Sequence, residues 1–365
     1  MIKTIKKLLV KYNEQEVGYL IDLDNKVAFE YSDYWLKNGF SISPLSLPLV
    51  KKVFINNKAN MDYLFGVFHD SLPDGWGNLL LKRKMAQIGI NYDNLSNLTK
   101  LSLISNNGLG GLSYEPMQLE NELIYDLDLD KIAKETEKIF MYEHNDINID
   151  EVYLLGGSSG GSRPKIHVKI DDEEWIIKFP CSFDPKNISV EEYKANELAK
   201  LCNINTNVFK LFKSKNNNSY FGVKRFDRNK LQRIHMISLS SILETSHLIP
   251  NLDYCHLFQI IKQISVDSND FYEAYKRMCF NVLFGNKDDH GKNFAFLYDE
   301  VKGGYVLSPF YDITKTNNKF EHEMTVNGKG NPNKEDLLEI AKKFNLSIEK
   351  CIDIIEVIEN NLKKY

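Results

Sequence analysis

Long apolar runs are missing from this 365-residue chain, of which 26% is charged. A helix of about 20 apolar residues that could cross a bilayer is therefore excluded. Cysteine is sparse. Cys181, Cys202, Cys255, Cys279 and Cys351 are scattered, odd in number and without C-x-x-C spacing, which argues against a disulfide framework or a zinc site and for a reducing compartment. A dominant charge is missing too, since 46 Lys and Arg stand against 50 Asp and Glu for a net charge of −4. That balance excludes a surface wholly devoted to nucleic acid. Lys82-Arg83-Lys84, Lys224-Arg225 and Arg228 read as solvated faces, not a groove-reading patch. The opening Met-Ile-Lys-Thr-Ile-Lys-Lys-Leu-Leu-Val turns polar at Lys11 and is too short for a signal-peptide core, so a cytoplasmic protein is expected. There is no internal repeat and no long linker.

What is present centres on Asn286-Lys287-Asp288-Asp289-His290-Gly291-Lys292-Asn293. Asp288 and Asn293 have the spacing of the protein-kinase catalytic loop, in which the Asp takes a hydroxyl proton and the Asn holds a metal ion. Phe294–Tyr298, the turn Lys302-Gly303-Gly304 and Tyr305–Leu307 read as a β-hairpin. Its far end delivers Asp312 to the place where kinases keep the metal-binding Asp of D-F-G. One Asp, one Asn and phosphate oxygens suit Mg²⁺.

Upstream, Glu16–Leu23 and Lys26–Tyr31 read as strands around an Asp24-Asn25 turn. Residues 62–90 read as helical, interrupted by Leu72-Pro73-Asp74-Gly75-Trp76-Gly77, a turn with no catalytic appearance of its own. Residues 120–150 form an acidic, helix-like segment. Leu154 to Lys165 carries four glycines and three serines before a strand, a loop whose amides can approach phosphate oxygens. It matches neither the Walker A pattern nor G-x-G-x-x-G before a helix. Lys178 follows inside the apolar strand Trp175–Pro180, and Glu192, with Glu197 second, is the candidate partner on the next helix. Asn203–Phe212 and Ser219–Arg228 read as paired strands, and the chain from 253 onward as helical, with packing helices in 334–363.

These motifs, in this order, resemble the HipA family of Ser/Thr kinase toxins from bacterial toxin–antitoxin modules: Leu72 to Gly77, Gly161-Ser162-Arg163-Pro164-Lys165, Val223 to Arg228, Asn286 to Asn293, and Pro309-Phe310-Tyr311-Asp312. The resemblance implies an α+β, bilobal protein-kinase-like fold. Residues 1–115 would be a small N-terminal α+β subdomain, 116–228 the kinase N-lobe and 229–365 an all-helical C-lobe. It implies Asp288 as base with Lys292 near the transferring phosphoryl group, and Asn293 and Asp312 as Mg²⁺ ligands. It places ATP against Gly160, Gly161, Ser162, Lys165, Lys178, Glu192, Val223, Arg225, Phe226 and His290, with His290 bracing the loop through hydrogen bonds. Autophosphorylation at Ser158 or Ser159 would switch the enzyme off by bringing negative charge to the phosphate site. Lys224 departs from the family, where an acidic residue is common, and the C-terminal helical region looks short.

The implied partners are a protein with a Ser/Thr acceptor, such as an aminoacyl-tRNA synthetase, and a HipB-like helix-turn-helix antitoxin, with DNA reached only through that antitoxin and no membrane. The competing expectations are a kinase for a small molecule and a catalytically weak module that binds an antitoxin. Lys178, Asp288, Asn293 and Asp312 are all present, which speaks against degeneracy.

Overall fold

Alternation of buried and exposed residues builds the first strands. A computed structural model describes residues 2–23, 26–119, 128–141, 149–156, 160–230 and 232–365. In β1 (Lys7–Tyr12), Leu8, Val10 and Tyr12 are buried while the residues between them are more exposed, the period of two that a one-sided sheet demands. With β2 (Gln15–Leu23), β3 (Lys26–Tyr31), β4 (Phe54–Ile55) and β5 (Leu112–Glu115) it forms a sheet of order β4-β3-β2-β1-β5, antiparallel throughout. The expected turn at Asp24-Asn25 lies outside the described residues; the flanking strands pair up to Leu23 and Lys26.

A second antiparallel sheet has the order β6-β7-β9-β8, from β6 (Lys165–Ile170), β7 (Glu173–Lys178), β8 (Phe209–Lys213) and β9 (Ser219–Lys224). The helix Leu129–Phe140 is capped by Asp128, which accepts from the amides of Asp130 and Lys131 at 3.1 Å. It contributes Leu129 and Ile132 to a core with Ile166, Trp175, Ile177 and Phe179. Each such side chain, once buried, contributes about 2 kcal/mol. A second core joins Trp76, Leu80, Leu81 and Met85 of the helix Gly75–Gln87 to Val152 and Tyr153 of the helix Ile149–Gly156.

These parts, with the short ladder β10 (Arg228–Asn229) and β11 (Gln232–Arg233), form one compact unit of residues 1–190 and 209–235; residues 191–208 and 236–365 form the other. The second unit contains the helices Tyr254–Ile264, Asp270–Phe284, Lys334–Lys343 and Ile348–Leu362. It is not all-helical. β12 (Met236–Ser238), β14 (Ala295–Asp299) and β15 (Gly304–Leu307) form a three-stranded sheet, and β13 (Leu252–Asp253) pairs with β16 (Met324–Thr325). The expected hairpin is β14–β15, and its edge needs a partner for the amides and carbonyls of a buried strand, which β12 supplies.

Candidate active site

The helix Asp270–Phe284 ends at Gly285, whose φ of 81° is left-handed and suits glycine. The loop that follows is fixed from behind. Asn286 donates from Nδ2 to Asn281 Oδ1 at 2.9 Å, and Asn281 donates to the Tyr254 hydroxyl at 2.9 Å. Tyr254 in turn donates to Asp289 Oδ2 at 2.8 Å, and His322 Nδ1 lies 2.9 Å from the same oxygen. Asp289 Oδ1 accepts the backbone N–H of Glu323 at 3.0 Å. Burial, and next the Asp289 carboxylate, push the Tyr254 phenol well up, so it stays a donor. A buried chain of hydrogen bonds of this kind favours one loop conformation.

Asp288 is turned the other way, with a side chain 41% exposed. Its carbonyl accepts from Asn293 Nδ2 at 2.7 Å. That uses the nitrogen end of the Asn293 amide and leaves its oxygen as the end for a cation. The Lys319 ammonium binds Asp288 Oδ1 and reaches Glu323 Oε1 at 2.7 Å. Burial disfavours the charge on Lys319, but the bonds to Asp288 and Glu323 outweigh it and hold its pKa above the usual range. Asp312 has φ +56°, a left-handed conformation that is uncommon outside glycine and tolerated best by Asp and Asn. Its neighbour Tyr311 donates to the Lys292 carbonyl, tying the segment that carries Asp312 to the Asp288–Asn293 loop. The donor set of one Asn oxygen and one carboxylate fits Mg²⁺. Among the described residues no cluster of three or more His, Cys, Asp and Glu offers an alternative metal site.

His290 departs from expectation. Its Nδ1 is buried without a hydrogen-bond partner, and its ring stands 5.5 Å from that of His247. The bracing role falls to Asp289, and His290 contributes through its backbone carbonyl, which accepts from Asn293 at 2.9 Å.

In the first unit, Lys165 and Lys178 are cross-strand partners on β6 and β7. Lys165 is buried and donates to the Gly160 carbonyl, and Lys178 Nζ lies 5.9 Å from the Phe221 ring centroid. Gly161 and Ser162 are exposed. Ser158 and Ser159 lie outside the described residues. The loop at 160–165 meets the Leu72–Gly77 turn, which the sequence left without a role. The Asp74 carboxylate accepts the Gly161 N–H. Trp76 donates its backbone N–H to the Gly161 carbonyl at 2.9 Å and its indole N–H to the Lys165 carbonyl at 3.1 Å.

Val223 is half-buried in β9, paired with Ile176. Arg225 is 4% exposed and bound along the Nε–Nη2 edge of its guanidinium to both carboxylate oxygens of Asp227, at 2.9 and 2.7 Å. Asp227 also accepts from Arg228 at 2.9 Å and from the Gly110 amide at 2.7 Å, and Arg228 donates to the Gly108 and Gly110 carbonyls. The Arg225 side chain is thus a structural clasp, which leaves only backbone groups of Arg225 for nucleotide. Half-buried Phe226 lies between the clasp residues. Lys224, the departure from the family pattern, is taken up by Glu173 at 2.5 Å. Glu192 is 3% exposed in the helix Ile188–Leu201, inside which the division between the units falls.

A strand lysine after a glycine-rich loop in one unit, and an Asp-x-x-x-x-Asn loop with a following Asp in the other, are the parts of a kinase-like protein. The profile of the HipA-like C-terminal domain matches residues 157–364, and that of the HipA N-terminal domain matches 8–115. The chain belongs to the HipA family. It is 18% identical in sequence to HipA from a Shewanella oneidensis MR-1 structure titled as a toxin–antitoxin complex of HipA, HipB and operator DNA, with TM-score 0.75 over 98% of this chain and 89% of that one. Two curated relatives from Sinorhizobium fredii are named "Putative kinase Y4mE", 30% identical over 28% of this chain, and "Putative kinase Y4dM", 27% identical over 36%. The matched regions span 27% and 34% of those relatives.

Proposed function

We propose that this chain is a Mg-ATP-dependent kinase that phosphorylates serine or threonine in a cellular protein and restrains growth as the toxin of a HipBA-type module. The observation that carries the reading is the catalytic loop itself. Asp288 is presented outward on a loop fixed from behind, Asn293 is bonded to the Asp288 carbonyl, and Asp312 follows from the hairpin.

Asp288 accepts the acceptor's hydroxyl proton as the oxygen bonds to the γ-phosphorus and the bond to ADP breaks. Asn293 and Asp312 hold the cation, which when bound neutralises charge on the phosphates. Lys178 and the amides of Gly160 and Ser162 hold the phosphate groups, while the Gly161 amide is taken by Asp74. Lys165 steadies the loop through Gly160. A loop phosphate on Ser158 or Ser159 would occupy the place of ATP's own phosphates and turn the enzyme off. Restraint by a HipB-like antitoxin, which would carry DNA binding, completes the reading, as does a cytoplasmic setting.

The test is intact mass after incubation with Mg-ATP, for wild type and Asp288→Ala. One added phosphate in the wild type alone supports the assignment, with peptide mapping to distinguish Ser158 from Ser159. An unmodified wild type that neither binds nucleotide nor carries phosphate from expression would sink it. The loss expected for Asp288→Ala is about 10²–10⁴-fold in phosphotransfer rate.

A further inference from the structure

The turn Asp74-Gly75-Trp76 belongs to the helical part of the N-terminal HipA domain, yet all three residues address the glycine-rich loop. Asp74 takes the Gly161 N–H, and Trp76 takes the Gly161 carbonyl through its backbone and the Lys165 carbonyl through its indole. Gly75 makes the approach possible. It sits at φ +37°, and a Cβ there would stand 2.4 Å from the Gly161 oxygen and 2.9 Å from the Ser162 Cα. Trp76 is fully buried in the helical core, so the hydrogen-bonding edge it offers cannot wander. Two ends of the loop, Gly161 and Lys165, are thus pinned to one fixed residue, by the Trp76 backbone N–H and by its indole.

We propose that Asp74, Gly75 and Trp76 are positioning residues for ATP, a brace by which the N-terminal domain sets the conformation of the phosphate-binding loop. Glycine-rich backbone has no conformational preference of its own. Without an external template the loop would lose more entropy on closing around phosphates, and affinity would fall accordingly. The brace turns the carbonyls of Gly161 and Lys165 toward the N-terminal domain, so that they are not offered to an anionic ligand. Asp74 acts as a hydrogen-bond acceptor for one amide, and its role is geometric. The N-terminal domain is on this account part of the nucleotide site.

The inference rests on the kinase reading, and the experiment separates the two. Calorimetry with the full chain would measure the Kd of a non-hydrolysable Mg-ATP analogue for wild type, Asp74→Ala and Asp74→Asn, alongside thermal unfolding and the KM for ATP against kcat. Asp74→Ala should weaken binding about fivefold, the worth of one lost hydrogen bond, with KM rising in step and kcat changing little. Asp74→Asn keeps an acceptor oxygen and should recover most of the affinity at an unchanged melting temperature. An Asp74→Ala protein that is folded and binds the analogue as tightly as wild type, or more tightly, overturns the brace. A wild type that binds no analogue overturns the kinase reading beneath it.

Discussion

The Asp288–Asn293 loop, the proposed catalytic loop, and the glycine-rich loop are both irregular backbone, held by opposite means. Behind the catalytic loop, Asn281, Asn286, Tyr254, Asp289 and His322 form a buried chain of hydrogen bonds within one unit. The glycine-rich loop exposes Gly161 and Ser162 and hangs on side chains from far upstream in sequence. A buried network is costly to break because every partner left behind is unsatisfied in a low dielectric. A half-exposed bond is replaced by water at about 1 kcal/mol. The difference suits the proposed tasks: the base must be fixed, while the loop that admits and releases a nucleotide must be adjustable.

The comparison breaks most easily at Asp289. Asp289→Ala strands the Tyr254 hydroxyl, the Glu323 amide and the ring of His322, all close to buried. The expected loss is about 3–5 kcal/mol of stability, the range for removing one partner of a buried charged group. Denaturant unfolding checks it. A loss under about 1 kcal/mol would show that the loop is no better fixed than an exposed one.

Much of this was legible in sequence, and the remainder was not for identifiable reasons. The Asp288-to-Asn293 spacing, the hairpin after it and the strand around Lys178 are local patterns, and each appears where its pattern predicts. Sequence cannot say which of Asp288 and Asp289 turns inward, because the choice is made by Tyr254 and His322, which are 35 and 33 residues away from Asp289. Lys319 and Asp74 likewise act across 31 and 87 residues. The signal for Asp74 was there, a Pro-Asp-Gly-Trp turn more specific than any helix connection needs. Arg225 was expected at the nucleotide, but a carboxylate two residues on captured its side chain. The all-helical C-lobe was implied by the resemblance, although the residues themselves read as a hairpin at 294–307; β12, β13 and β16 escaped notice because they are two or three residues long, too short to show a period.

A second way to sharpen the contrast is acid. In the unit that carries the glycine-rich loop, His235 is fully buried with Nε2 2.8 Å from the Ile42 carbonyl, and burial pushes its pKa down to about 4. Burial, and then the Arg225 guanidinium, push His167 well down too. An imidazole unfolded in water titrates near 6.5. With its folded pKa lowered, His235 binds fewer protons folded than unfolded between those values. Stability is therefore full above about pH 6.5 and falls as the pH drops toward 4, by on the order of 3 kcal/mol. His235→Gln should flatten that limb of a denaturant-midpoint profile between pH 7 and 4.5. Equal slopes for variant and wild type would remove His235 as the cause.

The smallest effect probes the exposed side of the fixed loop. Asp288 points outward to Lys319, and Lys319 is steadied by Glu323, whose amide is itself bonded to Asp289. Exposed Asp288 is thereby linked, through one lysine, to the buried network behind it. Side chains 41% and 30% exposed contribute little stability when paired, so Lys319→Ala should leave unfolding almost unchanged. Orientation is another matter, because a base out of line with the acceptor hydroxyl loses rate without losing affinity. Lys319→Ala is expected to lower kcat about tenfold with the KM for ATP nearly constant, and Lys319→Arg to restore part of it. If kcat holds and KM moves, Lys319 serves nucleotide binding, and the catalytic loop is fixed by Asp289 alone.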